Sequence, residues 1–147
     1  MSEVDEREER FLDALEQLDD NVLQHEYILS FASCLDMLAS EECTDENALA
    51  GCTADAWLEL REDDAGGIAM RGASDALIVR GLLGAVSEMI AGVPATDIAR
   101  WHPRLIRETR VGRQLFAQRR RGLASFAERI VEYAAKLVEE SNSRQGT

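Results

Sequence analysis

One stretch of the chain, Leu77–Ile90, constrains the fold more than any other. Its apolar side chains recur at helical spacing over a broad face, which comprises Leu77, Ile78, Leu82, Ala85, Val86, Met89 and Ile90. A face this broad needs burial against other elements. Gly81 and Gly84 interrupt the stretch at a cost of about 1 kcal/mol each relative to alanine. We therefore predict a helix that packs closely against a neighbour at these two glycines.

The residues before this helix predict an antiparallel hairpin. Apolar and polar side chains alternate over Ala54–Arg61, Glu62–Gly67 has the composition of a turn, and Ile68–Arg71 returns as a second strand. Ser74 is the expected N-cap of the apolar helix, with Asp75 in its first turn.

Helical spacing predicts further helices on both sides of the hairpin. They are Asp5–Leu18, a second helix carrying Tyr27, Ile28, Phe31, Leu35 and Leu38, short pieces at Thr96–Arg100 and Arg104–Arg110, and a long helix with a stripe from Leu123 to Val138. A polar loop is expected at residues 40–47 and a frayed, flexible tail at 141–147. The sequence thus predicts one α+β domain over residues 1–147, with its core at about 10–138.

Charge is divided unevenly along the chain. Of its 147 residues, the first 64 hold 20 of the 28 acidic and 3 of the 16 basic side chains. Eight arginines and one acid lie in Arg100–Arg121, although the formal net charge of the whole chain is −12. This balance argues against nucleic acid as a partner. The acidic N-terminus is unlike a signal peptide, and no apolar run reaches the roughly 20 residues of a membrane span, so we expect a cytoplasmic protein without membrane contact.

The three cysteines differ in their surroundings. Cys34 adjoins the apolar stripe of the second helix and is expected to be a buried structural thiol. Cys43 lies among acidic residues, which favours an incidental surface position. Cys52 follows Gly51 where the polar loop meets the first strand, and its sequence is compatible with either a nucleophile or a simple loop cysteine. Neither cysteine nor histidine spacing predicts a metal site.

Three segments resemble conserved segments of the SufE family of sulfur acceptors. Asn47–Trp57 resembles the pattern Asn-x-Val-x-Gly-Cys-Gln-Ser-x-Val-Trp, and Gly72–Leu82 is similar to Gly-Asp-Ser-Asp-Ala-x-Ile-Val-(Lys/Arg)-Gly-Leu. Leu115–Leu123 is similar to Leu-(Ser/Thr)-Pro-Ser-Arg-x-x-Gly-Leu. The glutamine and serine after the family's cysteine are replaced by Thr53 and Ala54. The resemblance covers about residues 10–138.

The resemblance implies both a fold and a function. The fold would be α+β, with two N-terminal helices, a small antiparallel sheet of about three strands and C-terminal helices, as in SufE and NifU-related proteins. Cys52 would take persulfide sulfur from a cysteine desulfurase of the SufS or CsdA type, stimulate that enzyme, and pass the sulfur to a downstream iron–sulfur scaffold. The pyridoxal phosphate would belong to the desulfurase, while this chain would need no cofactor and would act as a transfer partner rather than a stand-alone enzyme. Gly51, Asp75 and Arg119 match motif positions and would contact the partner or support the cysteine loop.

Two alternatives remain, one implied by the resemblance of the fold to NifU-related proteins and one suggested by the residues themselves. The first is an iron–sulfur scaffold of the NifU type, although only Cys52 falls at one of the three cysteine positions that such a scaffold uses. The second is a non-catalytic partner-binding module built on Arg100–Arg121. There Arg100, Arg104 and Arg107 would share a helical face, and Trp101 and Phe116 would be available to stack on bases. Pro103 and the net charge count against nucleic acid.

Overall fold

The chain places helices before and after an antiparallel hairpin. The computed structural model describes residues 2–49, 56–117 and 126–145. In chain order its elements are α1 (Glu3–Glu16), α2 (Asn21–Leu29), β1 (Ala56–Glu62), β2 (Ile68–Ser74), α3 (Leu77–Ile90), α4 (Ala95–Ala99), α5 (Arg110–Ala117) and α6 (Phe126–Gln145), with 3₁₀ turns at Ala32–Cys34 and Ser40–Glu42. The fold class is α+β, as predicted.

α3 lies in the centre of the core, as its broad apolar face predicts. Five residues of that face are buried, Leu82, Ala85, Val86, Met89 and Ile90, and Ile78 is half-buried. Val79 and Leu83, outside the predicted face, are buried as well. α1, α2 and β2 all pack against this helix. Leu77 differs from the prediction, because it lies at the first helical position, ahead of the packed turns, and is 52% exposed.

Gly81 and Gly84 lie where α3 touches backbone, which confirms the predicted close packing. A Cβ atom on Gly81 would collide with the carbonyl oxygen of Ile28, and one on Gly84 would collide with that of Phe31. The absence of a side chain at these positions therefore lets the end of α2 and the turn after it lie directly on α3.

The prediction of the second helix is wrong over its C-terminal part, after Leu29. α2 ends at Leu29, and Leu35 and Leu38 are buried from an irregular segment rather than from a helix. The physical reason is a competing backbone pairing with β2. Leu38 N donates to Gly72 O and Gly72 N donates to Asp36 O, both at 3.0 Å.

The hairpin forms as predicted from Ala56 onward, while Ala54 and Asp55 of the predicted first strand lie outside the described residues. β1 and β2 pair over their full lengths. Asp63 organises the turn, because its Oδ1 atom accepts hydrogen bonds from Ala65 N at 2.9 Å and Gly67 N at 2.8 Å. Gly66 has a φ of +82°, a conformation that glycine adopts without steric cost.

The sheet has two strands among the described residues, not about three. Its remaining pairing consists of isolated bridges. Met37 bridges Gly72 in parallel, and Ala48 bridges Trp57 in antiparallel fashion. The segment that would supply a third strand contains a 3₁₀ turn, and its described residues form two isolated bridges with the hairpin in place of a continuous ladder.

α6 covers β1 and α4 with the predicted apolar stripe from Phe126 onward, while Leu123 of that stripe lies outside the described residues. Its buried residues include Phe126, Ala127, Ile130 and Ala134. The helix continues to Gln145, so residues 141–145 are helical where the sequence predicts a frayed tail. Helical hydrogen bonding extends here beyond the part of the helix that is buried.

The helix predicted at Arg104–Arg110 is reduced to one turn. Glu108 N donates to Arg104 O at 2.8 Å, but α5 begins only at Arg110. The buried Thr109 separates the two, since its hydroxyl donates to Leu105 O and accepts from Gly112 N at 3.1 Å. This side chain caps α5 and starts a new helix instead of continuing the old one.

Candidate functional site

Most of the residues predicted to carry the sulfur or to support the cysteine loop lie outside the described part of the chain. Gly51 and Cys52 fall in residues 50–55, and Arg119 falls in 118–125. Asp75 is described and is exposed in the connection between β2 and α3. The surroundings of the cysteine are therefore defined by the described residues on either side of it.

The backbone is paired immediately before and after residues 50–55. Leu49 N donates to Ala56 O at 3.0 Å, and Leu58 N donates to Asn47 O at 2.8 Å. Leu49 and Ala56 are both buried. Cys52 thus belongs to residues 50–55, which we call the cysteine connection, and the two flanks of this connection are hydrogen-bonded to each other and anchored in the core.

Two neighbouring elements support these flanks. Arg129 of α6 donates from Nη1 to Ala48 O at 3.3 Å. On the other side of the sheet end, Ala56 pairs with Ser74 of β2. Arg80 of α3 donates from Nε to Ser74 O at 2.6 Å. Helices α3 and α6 therefore both hold the end of the sheet from which the cysteine connection leaves.

The start of α3 differs from the prediction. The helix begins at Leu77 with Ala76 in the cap position, so Ser74 is not the N-cap and Asp75 is not in the first turn. Ser74 is instead the last residue of β2. Its hydroxyl oxygen accepts from Ala76 N at 3.1 Å, which turns the chain from strand to helix.

An ion-pair cluster ties the segment before the cysteine to the sheet. We call residues 36–49 the entry segment. Arg71 of β2 bonds to Glu42 of this segment through Nη2, and its Nη1 lies 3.2 Å from Glu42 Oε1. The same guanidinium donates from Nε to Glu59 Oε1 of β1 at 3.2 Å. The hydrogen bond to Glu59 raises the pKa of Arg71, and the charges of Glu42 and Asp36 raise it further.

Sequence reasoning missed this cluster. The Glu59–Arg71 part is recoverable in principle, because the two residues are directly opposite each other in the register of the hairpin. Glu42 gives no such signal, since it reaches Arg71 from an irregular segment that is 29 positions away in the sequence.

The two described cysteines are poor candidates for a nucleophile. Cys34 is exposed, contrary to the predicted burial, because α2 ends before it and a 3₁₀ turn directs it away from the core. Desolvation raises the pKa of its thiol, and the nearby Glu88 carboxylate raises it further. Cys43 is half-buried, and its Sγ donates to Ala39 O at 3.5 Å.

The basic segment does not form the predicted binding face. Trp101 is buried, and its Nε1 donates to Glu8 at 3.1 Å, so its ring is not available to stack on a base. Arg104 is engaged by Glu8, Glu9 and Glu108. Arg107 and Arg104 lie in a turn and not on one helix face. The predicted face of Arg100, Arg104 and Arg107 beside Trp101 is therefore not formed, while residues 118–121 of the basic segment and the Phe116 side chain lie outside the described part of the chain.

The described ranges show neither a cluster of metal-ligating side chains nor a membrane-spanning helix. Within residues 2–49, 56–117 and 126–145, no three side chains of the His, Cys, Asp or Glu type come together as a metal site would require. In the same ranges, no helix combines the length and apolar character that crossing a bilayer demands.

Comparisons with known proteins agree with this architecture. The SufE family, described as an Fe-S metabolism associated domain, matches residues 9–134. An uncharacterized SufE-like protein of Rhizobium etli is 32% identical over 130 residues, which cover 86% of this chain and 88% of that protein. The solution structure of a hypothetical protein from Thermus thermophilus aligns with a TM-score of 0.70 at 15% identity, over 90% of this chain and 96% of that one, and so has the same fold.

Proposed function

The chain belongs to the SufE family of Fe-S metabolism associated domains, as its three motif segments predict, and on that premise we propose that it is a sulfur acceptor. Cys52 takes sulfane sulfur from a cysteine desulfurase, stimulates that enzyme, and passes the sulfur on for iron–sulfur cluster assembly. The desulfurase supplies the pyridoxal phosphate, and a downstream scaffold receives the sulfur.

The observation that carries this proposal is the paired backbone around the cysteine connection. Leu49 and Ala56 are buried and hydrogen-bonded to each other, so the connection begins and ends at one place in the core. A short connection with anchored ends suits a thiol that must be presented to another protein's reactive sulfur. The motif residue Asn47 belongs to this pairing through its carbonyl oxygen.

The transfer is an exchange between sulfur atoms. The Cys52 thiolate attacks the outer sulfur of the desulfurase persulfide, and a new sulfur–sulfur bond forms as the old one breaks. The desulfurase cysteine leaves as a thiolate and takes up a proton, while Cys52 becomes the persulfide. No external oxidant or reductant is consumed. The proposal places this chemistry in the cytoplasm, where thiols are kept reduced.

The other two thiols support the choice of Cys52. A raised pKa leaves a smaller thiolate fraction on Cys34 at neutral pH, so that thiol competes weakly for sulfur. Cys43 donates its S–H to Ala39 O within the entry segment. Neither residue lies in the segment that resembles the reactive-cysteine pattern of the family.

The test is sulfur loading in the presence of a desulfurase, pyridoxal phosphate and cysteine. We expect one added sulfur atom on the Cys52 peptide by mass spectrometry. The variant C52S should lose this adduct and the stimulation of the desulfurase, because a hydroxyl cannot carry a persulfide. The matched controls C34S and C43S should retain both.

Normal sulfur relay by C52S would refute the acceptor role. A coloured cluster formed on the wild-type protein after anaerobic reconstitution with iron and sulfide would instead support the scaffold alternative. Both measurements use the full chain.

A further inference from the structure

We propose that Arg71 is a positioning residue for sulfur transfer: it holds the entry segment against the sheet, so that the backbone that leads to Cys52 is already in position when the partner binds. The inference rests on the proposed function of Cys52. Arg71 touches neither the cysteine connection nor a substrate in this proposal, and it acts only through Glu42 and the chain that follows.

Arg71 is placed to join three parts of the fold. It lies on β2, and its guanidinium bonds to Glu42 of the entry segment and to Glu59 of β1. The three side chains are only 22%, 34% and 28% exposed, respectively. A planar guanidinium can bond to two carboxylates at once, which a smaller cation does less well.

The position of Glu42 is transmitted to the cysteine connection through Asn47. The Asn47 side chain donates from Nδ2 to Glu42 O at 2.9 Å. Asn47 O in turn accepts from Leu58 N, and two residues later Leu49 N bonds to Ala56 O. The ion pair at Glu42 therefore lies at one end of a hydrogen-bonded path whose other end is the last described residue before the cysteine connection.

Among the described residues, few polar contacts hold the middle of the entry segment to the sheet. Its start is paired with Gly72 through Asp36 and Leu38, and its end is paired with β1 through Asn47 and Leu49. Between these points, Arg71 provides the side-chain link to the sheet in the described structure. Loss of that link should let the middle of the segment move, and the partner would then have to order it on binding.

The test compares R71Q with R61Q in the full-length protein. Arg61 is a matched control, because it also faces Glu59 but at 4.0 Å, is 64% exposed, and makes no described contact with the entry segment. For R71Q, we expect the acceptor concentration that half-saturates sulfur transfer to rise about threefold to tenfold, with the rate at saturation nearly unchanged. R61Q should match the wild type.

Two further readouts separate positioning from general stability. Amide exchange at Leu49 and Leu58 should be faster in R71Q than in R61Q, measured well below the unfolding temperature. R71K should recover part of the loss, since an ammonium group keeps the charge but reaches fewer carboxylate oxygens at once.

The outcomes are distinguishable. A wild-type protein that takes no sulfur on Cys52 would overturn the proposed function itself. If the wild type is loaded normally and R71Q matches R61Q in half-saturation and amide exchange, the positioning role alone is refuted. The positioning role would also be refuted if the saturating rate and the affinity fell equally in R71Q and if R71K recovered neither.

Discussion

Glu8 and Arg71 each tie an irregular segment to a regular element, but they do so in opposite surroundings. Glu8 of α1 is fully buried, and its carboxylate accepts from Trp101 Nε1 at 3.1 Å, Arg104 N at 2.7 Å and Leu105 N at 3.0 Å. Arg71 lies near the surface and bonds to two partly exposed carboxylates. The first cluster fixes the chain after α4, and the second fixes the chain before the cysteine connection.

The difference in burial determines what each cluster contributes. When a fully buried acceptor is removed, its donors lose their partner and cannot turn to water, so the cost falls on global stability. Near the surface, water replaces a lost partner and the cost is small. A cluster of the second kind can therefore set the position of a segment without determining whether the protein folds.

The largest effect that this comparison predicts is at Glu8. E8A should lower the free energy of unfolding by about 3 kcal/mol or more, because three N–H donors and part of the Arg104 charge lose their buried partner. Urea unfolding followed by circular dichroism measures the loss.

The neighbouring E9A is the control for this change. Glu9 binds the same Arg104 at 2.9 Å but is 46% exposed, so its replacement should cost well under about 1 kcal/mol. Equal losses in E8A and E9A would contradict the assigned importance of burial.

A smaller effect is expected at Glu42. E42Q removes the charge that Arg71 binds in the entry segment, and it should cost at most about a fifth of the loss in E8A. In a double-mutant cycle with R71Q, the two changes should be less than additive, since both break the same link. A loss as large as that of E8A would show that the entry segment is part of the folding core.

The smallest effect is expected at Cys34, where a single exposed carboxylate acts on a thiol. Desolvation and Glu88 raise the pKa of Cys34, so the thiolate fraction at a given pH is lowered and alkylation is slow. E88Q should move the pH profile of Cys34 alkylation to lower pH and speed the reaction at about pH 8 by about twofold. Iodoacetamide labelling with peptide mapping measures the rate of Cys34 alkylation at each pH. An unchanged pH profile in E88Q would contradict the assigned contribution of Glu88.

Predictions from sequence succeeded where local signals were sufficient. The hairpin follows from alternation and from the turn built on Asp63 and Gly66, all within a few residues of each other. The close packing of α3 was predictable because Gly81 and Gly84 lower the stability of a helix. Such a cost is expected where a neighbouring backbone fills the space that a side chain would otherwise take. The α6 stripe is likewise a local pattern.

Predictions failed where a distant partner competed with a local preference. The apolar spacing up to Leu38 favours a helix, but pairing with Gly72 draws that segment out of helical geometry. Cys34 became exposed as a direct consequence. In the sequence, Arg104 and Trp101 suggest a basic, aromatic surface. In the structure both contact Glu8, more than 90 positions earlier, so that Trp101 is buried in the core and Arg104 lies at the edge of the core.

The sequence by itself determined the fold class, the hairpin, the central helix and the family, because each of these is encoded in periodicity or in motifs spanning a few residues. The tertiary structure alone decided how the entry segment is held, which of the described thiols is exposed and where the basic segment points. These depend on contacts between residues far apart in the chain, such as Glu8 with Leu105 and Glu42 with Arg71. Their free energies arise from burial and geometry that no local pattern specifies.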